Sequence, residues 1–180
     1  MARAAAALAP LLRDYQVIIT YGNGPQVVLL AIENAGDPAL RRPYPFDVLD
    51  AQTQGMIGYW LVQALESASP GRRAACLICR TMVKADDPAF GQPTKFVGPV
   101  CPEAQARRLA AEHGWQIRPD GTAWRRVRGG LPGAGRPGRA GIIEALADRG
   151  VIVVCAGGGG IPVVTDGSGL RGVEAWWTRT

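Results

Sequence analysis

The sequence is poor in several residue types on which common protein chemistries depend. Of its 180 residues, 19% are charged, and it has one histidine and only two lysines. No apolar run reaches the roughly 18 residues that a membrane-spanning helix needs, which excludes a spanning protein. The basic residues are almost all arginine and lie scattered, without a stripe of interleaved aromatics, so we expect no nucleic-acid partner. His113 stands at the end of a predicted helix, where a capping role is simpler than catalysis.

The four cysteines do not form a recognisable metal or redox motif. Cys76 and Cys79 have CxxC spacing, but no second pair and no histidine partner accompany them. On a strand, residues three apart face opposite sides, which suits neither a metal site nor a dithiol. We interpret these two, with Cys101 and Cys155, as buried reduced thiols of a cytoplasmic protein.

Short β-branched runs alternate with helical stretches along the chain. Buried strands are predicted over residues 16–21, 74–81 and 151–155, and a hairpin over 115–127. Helices are predicted over residues 2–13, 26–34, 51–67, 102–113 and 142–149. Strands that alternate with helices predict an α/β fold with a mainly parallel sheet.

Two glycine-rich loops directly follow predicted strands. Gly22-Asn23-Gly24 comes after the first strand and Gly157-Gly158-Gly159 after the third. Ligands bind at the carboxyl ends of parallel strands, and glycine lets backbone N–H groups approach a phosphate. Neither loop has the GxGxxG or GxxxxGK[ST] spacing, which disfavours a nicotinamide dehydrogenase and a Walker-type ATPase. The two loops together predict an anion or phosphate site.

Two further candidates lie in the proline-rich segment 84–99, which is predicted to be a loop or an excursion from the sheet. Lys95 in PTKFVGP could neutralise a transferring phosphoryl group, although its position alone fits a solvated lysine better. Asp86-Asp87 could bind metal or act as a base, but an acidic residue before Pro88 more simply caps a turn.

The segments as a set resemble the carbamate kinases, a branch of the amino-acid-kinase family. The matching stretches come in family order and cover most of residues 8–175; they are YGNGPQVVLL (21–30), PYPFDVLDAQTQGMIGYWLVQAL (43–65), ADDPAFGQPTKFVGP (85–99), RRLAAEHGW (107–115), GVIVVCAGGGGIPVV (150–164) and GLRGVEA (169–175). This resemblance implies an open three-layer αβα sandwich. Residues 1–175 then correspond to the N-terminal, carbamoyl-phosphate side of the kinase domain.

The resemblance also implies an activity and a set of site residues. Enzymes of this family transfer phosphate reversibly between ATP and carbamate, with Mg²⁺, as cytoplasmic homodimers in arginine breakdown. By motif match, Gly22-Asn23-Gly24 holds the carbamoyl-phosphate end and Gly157-Gly158-Gly159 forms the second phosphate-side loop. Lys95 matches the family's PTK lysine near the transferred phosphate, which makes it the expected catalytic residue.

The sequence departs from the family pattern at several places. It starts after the family's first strand and GGNA-type loop, and it has Tyr21 and Val28 where the family usually has His and Gly. After GVEA the family continues with two apolar residues and Asp-Lys-Asp, whereas this chain ends with Trp176–Thr180. Codons GTG GTG GAC AAG GAC that lose one G after an alanine codon read Trp-Trp-Thr-Arg-Thr. We therefore expect an out-of-frame tail over 176–180, and no phosphotransfer activity in the chain as it stands.

Some alternatives stay open at the level of sequence. Residues 129–141 fit either a second, compensated frame shift or a Gly/Pro/Arg insertion in a loop. The chain could also be an amino-acid kinase that phosphorylates a carboxylate, or a non-catalytic fragment that retains a dimer surface. The proline-rich segment that ends in PTKFVGP favours the carbamate branch.

Overall fold

A computed structural model describes residues 1–94, 96–127 and 140–174 of the chain. Helices within these residues are Ala2–Asp14 (α1), Gly24–Gly36 (α2), Phe46–Ala68 (α3), Glu103–His113 (α4) and Ala140–Ala147 (α5). Strands are Ile18–Ile19 (β1), Ala74–Leu77 (β2), Arg80–Met82 (β3), Phe96–Cys101 (β4), Gln116–Asp120 (β5), Ala123–Val127 (β6), Ile152–Cys155 (β7), Ile161–Asp166 (β8) and Gly169–Gly172 (β9). None of the helices described is both long and apolar enough to pass through a membrane.

Two short three-stranded sheets are linked at two places, where the chain passes from a strand of the first sheet to a strand of the second. The first has the order β1-β7-β2 and is entirely parallel, and the second has the order β3-β8-β9 with a parallel β3-β8 pair. Strand β3 continues the direction of β2, and β8 continues that of β7 after a 3₁₀ turn at Gly157–Gly159. The predicted mainly parallel α/β arrangement is therefore confirmed.

Strand β7 lies at the centre of three layers, and all four of its residues are buried. Its Ile152 and Val154 pack against α1 and α3, where Leu12, Ile57 and Leu65 form the core. Val153 and Cys155 of the same strand face α5 instead, where they cluster with Ala147. Because successive side chains of a strand point to opposite faces, this strand needs an apolar helix on each side. The layers are those of the expected αβα sandwich.

The excursion, which we define as residues 96–127, forms a separate antiparallel sheet with the order β4-β6-β5 and one covering helix, α4. The hairpin predicted over residues 115–127 is confirmed. Helix α4 ends as the sequence predicted, because Gly114 adopts the left-handed conformation at φ 64° that closes a helix.

Several predicted boundaries were wrong. The first strand covers only Ile18–Ile19, and Ile18 is 50% exposed rather than buried, because β1 pairs with β7 on one side only within the described residues. The predicted strand over residues 74–81 is two strands, and the predicted loop over 84–99 includes the start of β4. Helix α3 begins at Phe46, five residues before its predicted start. Phe46 and Leu49 of this first turn are buried against α2, and the N–H of Phe46 donates to the carboxylate of Glu174 at 3.3 Å.

Candidate functional site

The two glycine loops predicted from sequence lie against each other. The N–H of Gly158 donates to the carbonyl of Tyr21 at 2.9 Å. A Cβ on Gly158 would overlap the side-chain oxygen of Asn23, and one on Gly157 would lie 2.5 Å from the Tyr21 ring. Glycine at these two positions is therefore what allows the loops to touch, and at Gly158 it also accommodates a φ of 62°.

Asn23 is fully buried and anchors its loop to helix α3. Its side-chain amide donates to the carboxylate of Asp50 and, at 2.9 Å, to the hydroxyl of Thr53. Its own side-chain oxygen has no hydrogen-bond partner among the described residues. The side chain thus points inward, so a ligand at this loop would meet backbone groups rather than the Asn23 amide.

The first turn of α2 supplies those backbone groups. Pro25 occupies the start of this helix and has no N–H, and Asn23 precedes it without a capping hydrogen bond from its side chain. The first N–H groups of a helix have no intrahelical acceptor and carry the positive end of the helix dipole. The N–H groups of Gly24 and Gln26 therefore lie at the positive end of α2, next to the paired loops and without an intrahelical acceptor.

Most N–H groups of the second loop are already used. Gly159 donates to Ala156 at 3.0 Å and Gly160 donates to Gly157 at 3.1 Å, in addition to the bond from Gly158 to Tyr21. The second loop therefore has few N–H groups left to donate to a ligand, and contributes mainly to the shape of the site. Its role as a phosphate ligand stays a prediction.

Asp50 places a carboxyl group inside the protein, 8% exposed, directly behind the first loop. Burial raises the pKa of this carboxyl to about 6, and the neighbouring Asp47 carboxylate raises it as well. The hydrogen bond from Asn23 acts in the opposite direction because it favours the ionised form. Near neutral pH, an ionised Asp50 accepts from the Asn23 amide and so fixes the direction of that side chain.

Sequence reasoning assigned no role to Asp50, Thr53 or Gln54, although their stretch was among those that resemble the family. All three lie on the buried face of α3, at positions i, i+3 and i+4. The signal available in the sequence was polar residues on the same helical stripe as Leu49 and Ile57. Helix faces of this kind are usually apolar, so three polar residues there indicate a buried network.

Other residues singled out from sequence lie elsewhere. Lys95 and residues 176–180 lie outside the described residues, as does most of the segment 129–141. Asp87 accepts a hydrogen bond from the N–H of Ala89 at 2.9 Å, and so caps a 3₁₀ turn as the simpler interpretation predicted. None of the four cysteines forms a disulfide within the described residues. Cys79 and Cys155 are buried as predicted, whereas Cys76 and Cys101 are only half-buried.

A cavity of about 690 Å³ lies between the second half of α2 and the excursion, away from the glycine loops. Its wall is mainly apolar and includes Ile32, Val97, Leu109 and Trp115. It lies at neither of the two strand ends that carry the glycine loops.

Comparison with known proteins points to one family. The carbamate kinase of Escherichia coli K12 is 44% identical over 173 residues, which are 96% of this chain and 58% of that protein. The carbamate kinase of Pyrococcus furiosus is also 44% identical, over 91% of this chain and 54% of that protein. The chain is a homologue of the carbamate kinases. No protein-family model matches it.

Solved structures agree with the sequence comparison. A carbamate kinase from Giardia lamblia bound to AMP-PNP superposes with a TM-score of 0.81 at 32% identity, over 96% of this chain and 57% of that one. A protein from Aeropyrum pernix K1 superposes with a TM-score of 0.85 at 33% identity. The fold is thus that of the carbamate kinases, and the chain spans somewhat more than half the length of the relatives it matches.

Proposed function

We propose that this chain forms the carbamate and carbamoyl-phosphate side of a carbamate kinase site. In that reaction, the terminal phosphoryl group of ATP passes to a carbamate oxygen, giving ADP and carbamoyl phosphate, and the reverse reaction makes ATP. The observation that supports this most is the contact between the loops Gly22-Asn23-Gly24 and Gly157-Gly158-Gly159 beside the first turn of α2. Homology to carbamate kinases supports carbamate as the substrate over the carboxylates used by other amino-acid kinases.

The arrangement of donors suits phosphoryl transfer. Such reactions need positioned hydrogen-bond donors and positive charge more than a covalent nucleophile. In the proposal, the N–H groups of Gly24 and Gln26 hold the phosphate of carbamoyl phosphate at the positive end of α2. Lys95 supplies the charge that neutralises the transferring group, as the family motif implies.

The nucleotide and its metal enter the proposal only in outline. The Giardia lamblia enzyme was solved with AMP-PNP, which supports ATP as the second substrate here. No cluster of three metal-ligating side chains occurs within the described ranges, and Asp50 is already engaged by Asn23. These residues do not fit a magnesium site of their own, so we assign no step to Mg²⁺. Assembly as a homodimer, a cytoplasmic location and a place in arginine breakdown rest on the family resemblance alone.

The chain's two lysines provide a matched test of the site. We expect carbamoyl phosphate, titrated calorimetrically into the purified chain, to bind at least about tenfold more weakly to Lys95→Met than to wild type, a loss of about 1.4 kcal/mol. The variant Lys84→Met removes the same charge from an exposed position and should bind within about twofold of wild type. No binding by the wild-type chain, or equal loss in both variants, would overturn the proposal.

Turnover is measured separately from binding. A luciferase-coupled assay of ATP formation from ADP and carbamoyl phosphate tests the sequence-based expectation that the 180-residue chain does not complete the reaction. Turnover by wild type that is lost only in Lys95→Met would contradict that expectation and strengthen the proposed chemistry.

A further inference from the structure

The two central strand paths are interrupted at the same level. Strand β2 ends at Leu77 and β3 begins at Arg80, while β7 ends at Cys155 and β8 begins at Ile161. The gaps lie side by side, because β2 pairs with β7 on one side of them and β3 pairs with β8 on the other. Backbone groups inside such a gap lose their ladder partners and need others.

Gln54 of helix α3 supplies partners on both sides of this gap. It is fully buried, and its side-chain oxygen accepts from the N–H of Cys79 at 2.9 Å. Its side-chain nitrogen donates to the carbonyl of Cys79 at 3.3 Å and to the carbonyl of Gly157 at 3.0 Å. Each polar atom of the amide is therefore bonded to the backbone of an interrupted strand path.

The same residue also reaches the first loop. The backbone carbonyl of Gln54 accepts the hydroxyl of Tyr21 at 2.7 Å, and Tyr21 directly precedes the loop Gly22-Asn23-Gly24. The Tyr21 ring in turn limits how closely Gly157 approaches. Gln54 is thus bonded to Gly157 of the second loop and to Tyr21, the residue directly before the first loop.

We propose that Gln54 is a positioning residue that fixes the separation of the two glycine loops. Only a carboxamide meets the requirement, since it accepts from one N–H and donates to two carbonyls with a single planar group. A carboxylate would face two carbonyl oxygens without a proton. A thioether would remove the acceptor of the Cys79 N–H and the bond from α3 to the Gly157 carbonyl, while the carbonyls of Cys79 and Gly157 would keep the N–H donors of Ile161 and Gly160. The consequence for ligand binding rests on the proposed function, whereas the positioning itself does not.

Amide hydrogen exchange of the unliganded chain tests the positioning directly. In Gln54→Met and Gln54→Glu, we expect exchange over residues 156–160 to become at least about tenfold faster, because the loop loses its connection to α3. Exchange over the hairpin 116–127 should stay within about twofold of wild type, as it lies in the separate excursion. The exposed Gln52, two residues away on α3, gives the matched controls Gln52→Met and Gln52→Glu, which should leave both segments unchanged.

A pH series separates positioning from a general loss of stability. As the pH falls, the carboxyl of the Gln54→Glu variant becomes protonated and regains one donor for the carbonyl of Gly157 or Cys79. Its exchange over 156–160, compared with wild type at each pH, should then return toward the wild-type rate. Gln54→Met has no proton to regain and should show no such return.

The outcomes also distinguish this inference from the proposed function. Unchanged exchange over 156–160, or an equal increase throughout the chain, would overturn the positioning role. Loosened loops together with a wild-type chain that does not bind carbamoyl phosphate would support the positioning role and refute the function. Where wild type does bind, both Gln54 variants should bind at least about tenfold more weakly.

Discussion

The region around the glycine loops and the excursion over residues 96–127 use polar residues in opposite ways. Around the loops, Asn23, Thr53 and Gln54 are fully buried. Asn23 donates a hydrogen bond to Thr53, and Gln54 donates one to the carbonyl of Gly157. In the excursion, the ion pair between Arg107 and Glu103 has side chains that are 65% and 51% exposed. The geometry of the first region depends on buried hydrogen bonds, whereas the second region carries this pair of charges on the outside of α4, where water also solvates them.

This contrast implies different costs of substitution. A buried polar group that loses its partner keeps the desolvation penalty and gains nothing from water, so one change affects the whole network. An exposed ion pair exchanges its partner for solvent at little cost. We therefore expect large, coupled effects near the loops and small, separable effects in the excursion.

The largest effect should come from adding a methyl group where the two loops touch. In Gly158→Ala the new Cβ would overlap the Asn23 side chain, and the residue would keep a φ of 62°. Left-handed strain and overpacking together should lower the free energy of unfolding by about 4 kcal/mol. Urea denaturation measures this loss.

Gly114→Ala in the excursion is the matched control. Gly114 has nearly the same backbone conformation, φ 64°, but no atom lies within 4 Å of where its Cβ would be. Gly114→Ala should lower the free energy of unfolding only through the strain of the left-handed backbone, by about 1 kcal/mol. If the Gly158 variant lost no more than this one, the loops would not be in tight contact and the comparison between the two regions would fail.

A smaller effect is expected from the buried carboxyl of Asp50. Its folded-state pKa of about 6 is above the ordinary value of 3.8, so the native state holds its proton more tightly than the unfolded state. This costs stability as the pH rises from about 4 to 6, and the cost stays constant above that range. Asp50→Asn should therefore be more stable than wild type at pH 7.5 by about 2 kcal/mol, after the weaker bond to Asn23 is deducted.

The sign of the pH dependence is the decisive readout. The advantage of Asp50→Asn should shrink as the pH falls through about 6 and disappear near pH 4. Asp166 serves as a control of opposite sign, because hydrogen bonds from Ser168 and the nearby Arg171 lower the pKa of that exposed carboxyl. Removing the Asp166 carboxylate should slightly lower the stability of the chain at neutral pH and leave it unchanged in acid. A constant difference for Asp50→Asn across the range would contradict its burial penalty.

The same contrast explains which features were visible in the sequence. Strand β7, the hairpin and the two glycine loops are local patterns, since each is encoded by residues adjacent in the chain. The interruption between β2 and β3 is not, because AACLICRTM reads as one continuous β-prone run. Its break at Cys79 coincides with the hydrogen bonds to Gln54, 25 residues away.

The site residues divide along the same line. Glycines after a strand predict a ligand loop by their own chemistry, whereas Asp50 and Gln54 acquire meaning only when the buried face of α3 meets the gap in the sheet. A polar residue in a helix is most often solvated, so a single sequence favours that interpretation. In the structure, tertiary contacts of α3 bury Asp50 and Gln54, and the periodicity of the sequence does not encode those contacts.

The smallest effect should come from the exposed ion pair of the excursion. Arg107 donates from two nitrogens to one oxygen of Glu103, at 2.8 and 2.6 Å, one helical turn apart on α4. Glu103→Gln should cost no more than about 0.5 kcal/mol in urea denaturation at low salt, and about nothing at 0.5 M salt, where screening removes the attraction. Arg107→Ala should cost somewhat more, about 1 kcal/mol, and keep most of that cost in salt, since the guanidinium also lies 5.3 Å from the centre of the Trp124 ring and covers its face. A salt-independent loss of 2 kcal/mol or more (about the size expected at Asp50) in Glu103→Gln would mean that the charges of the excursion form a buried-type network after all.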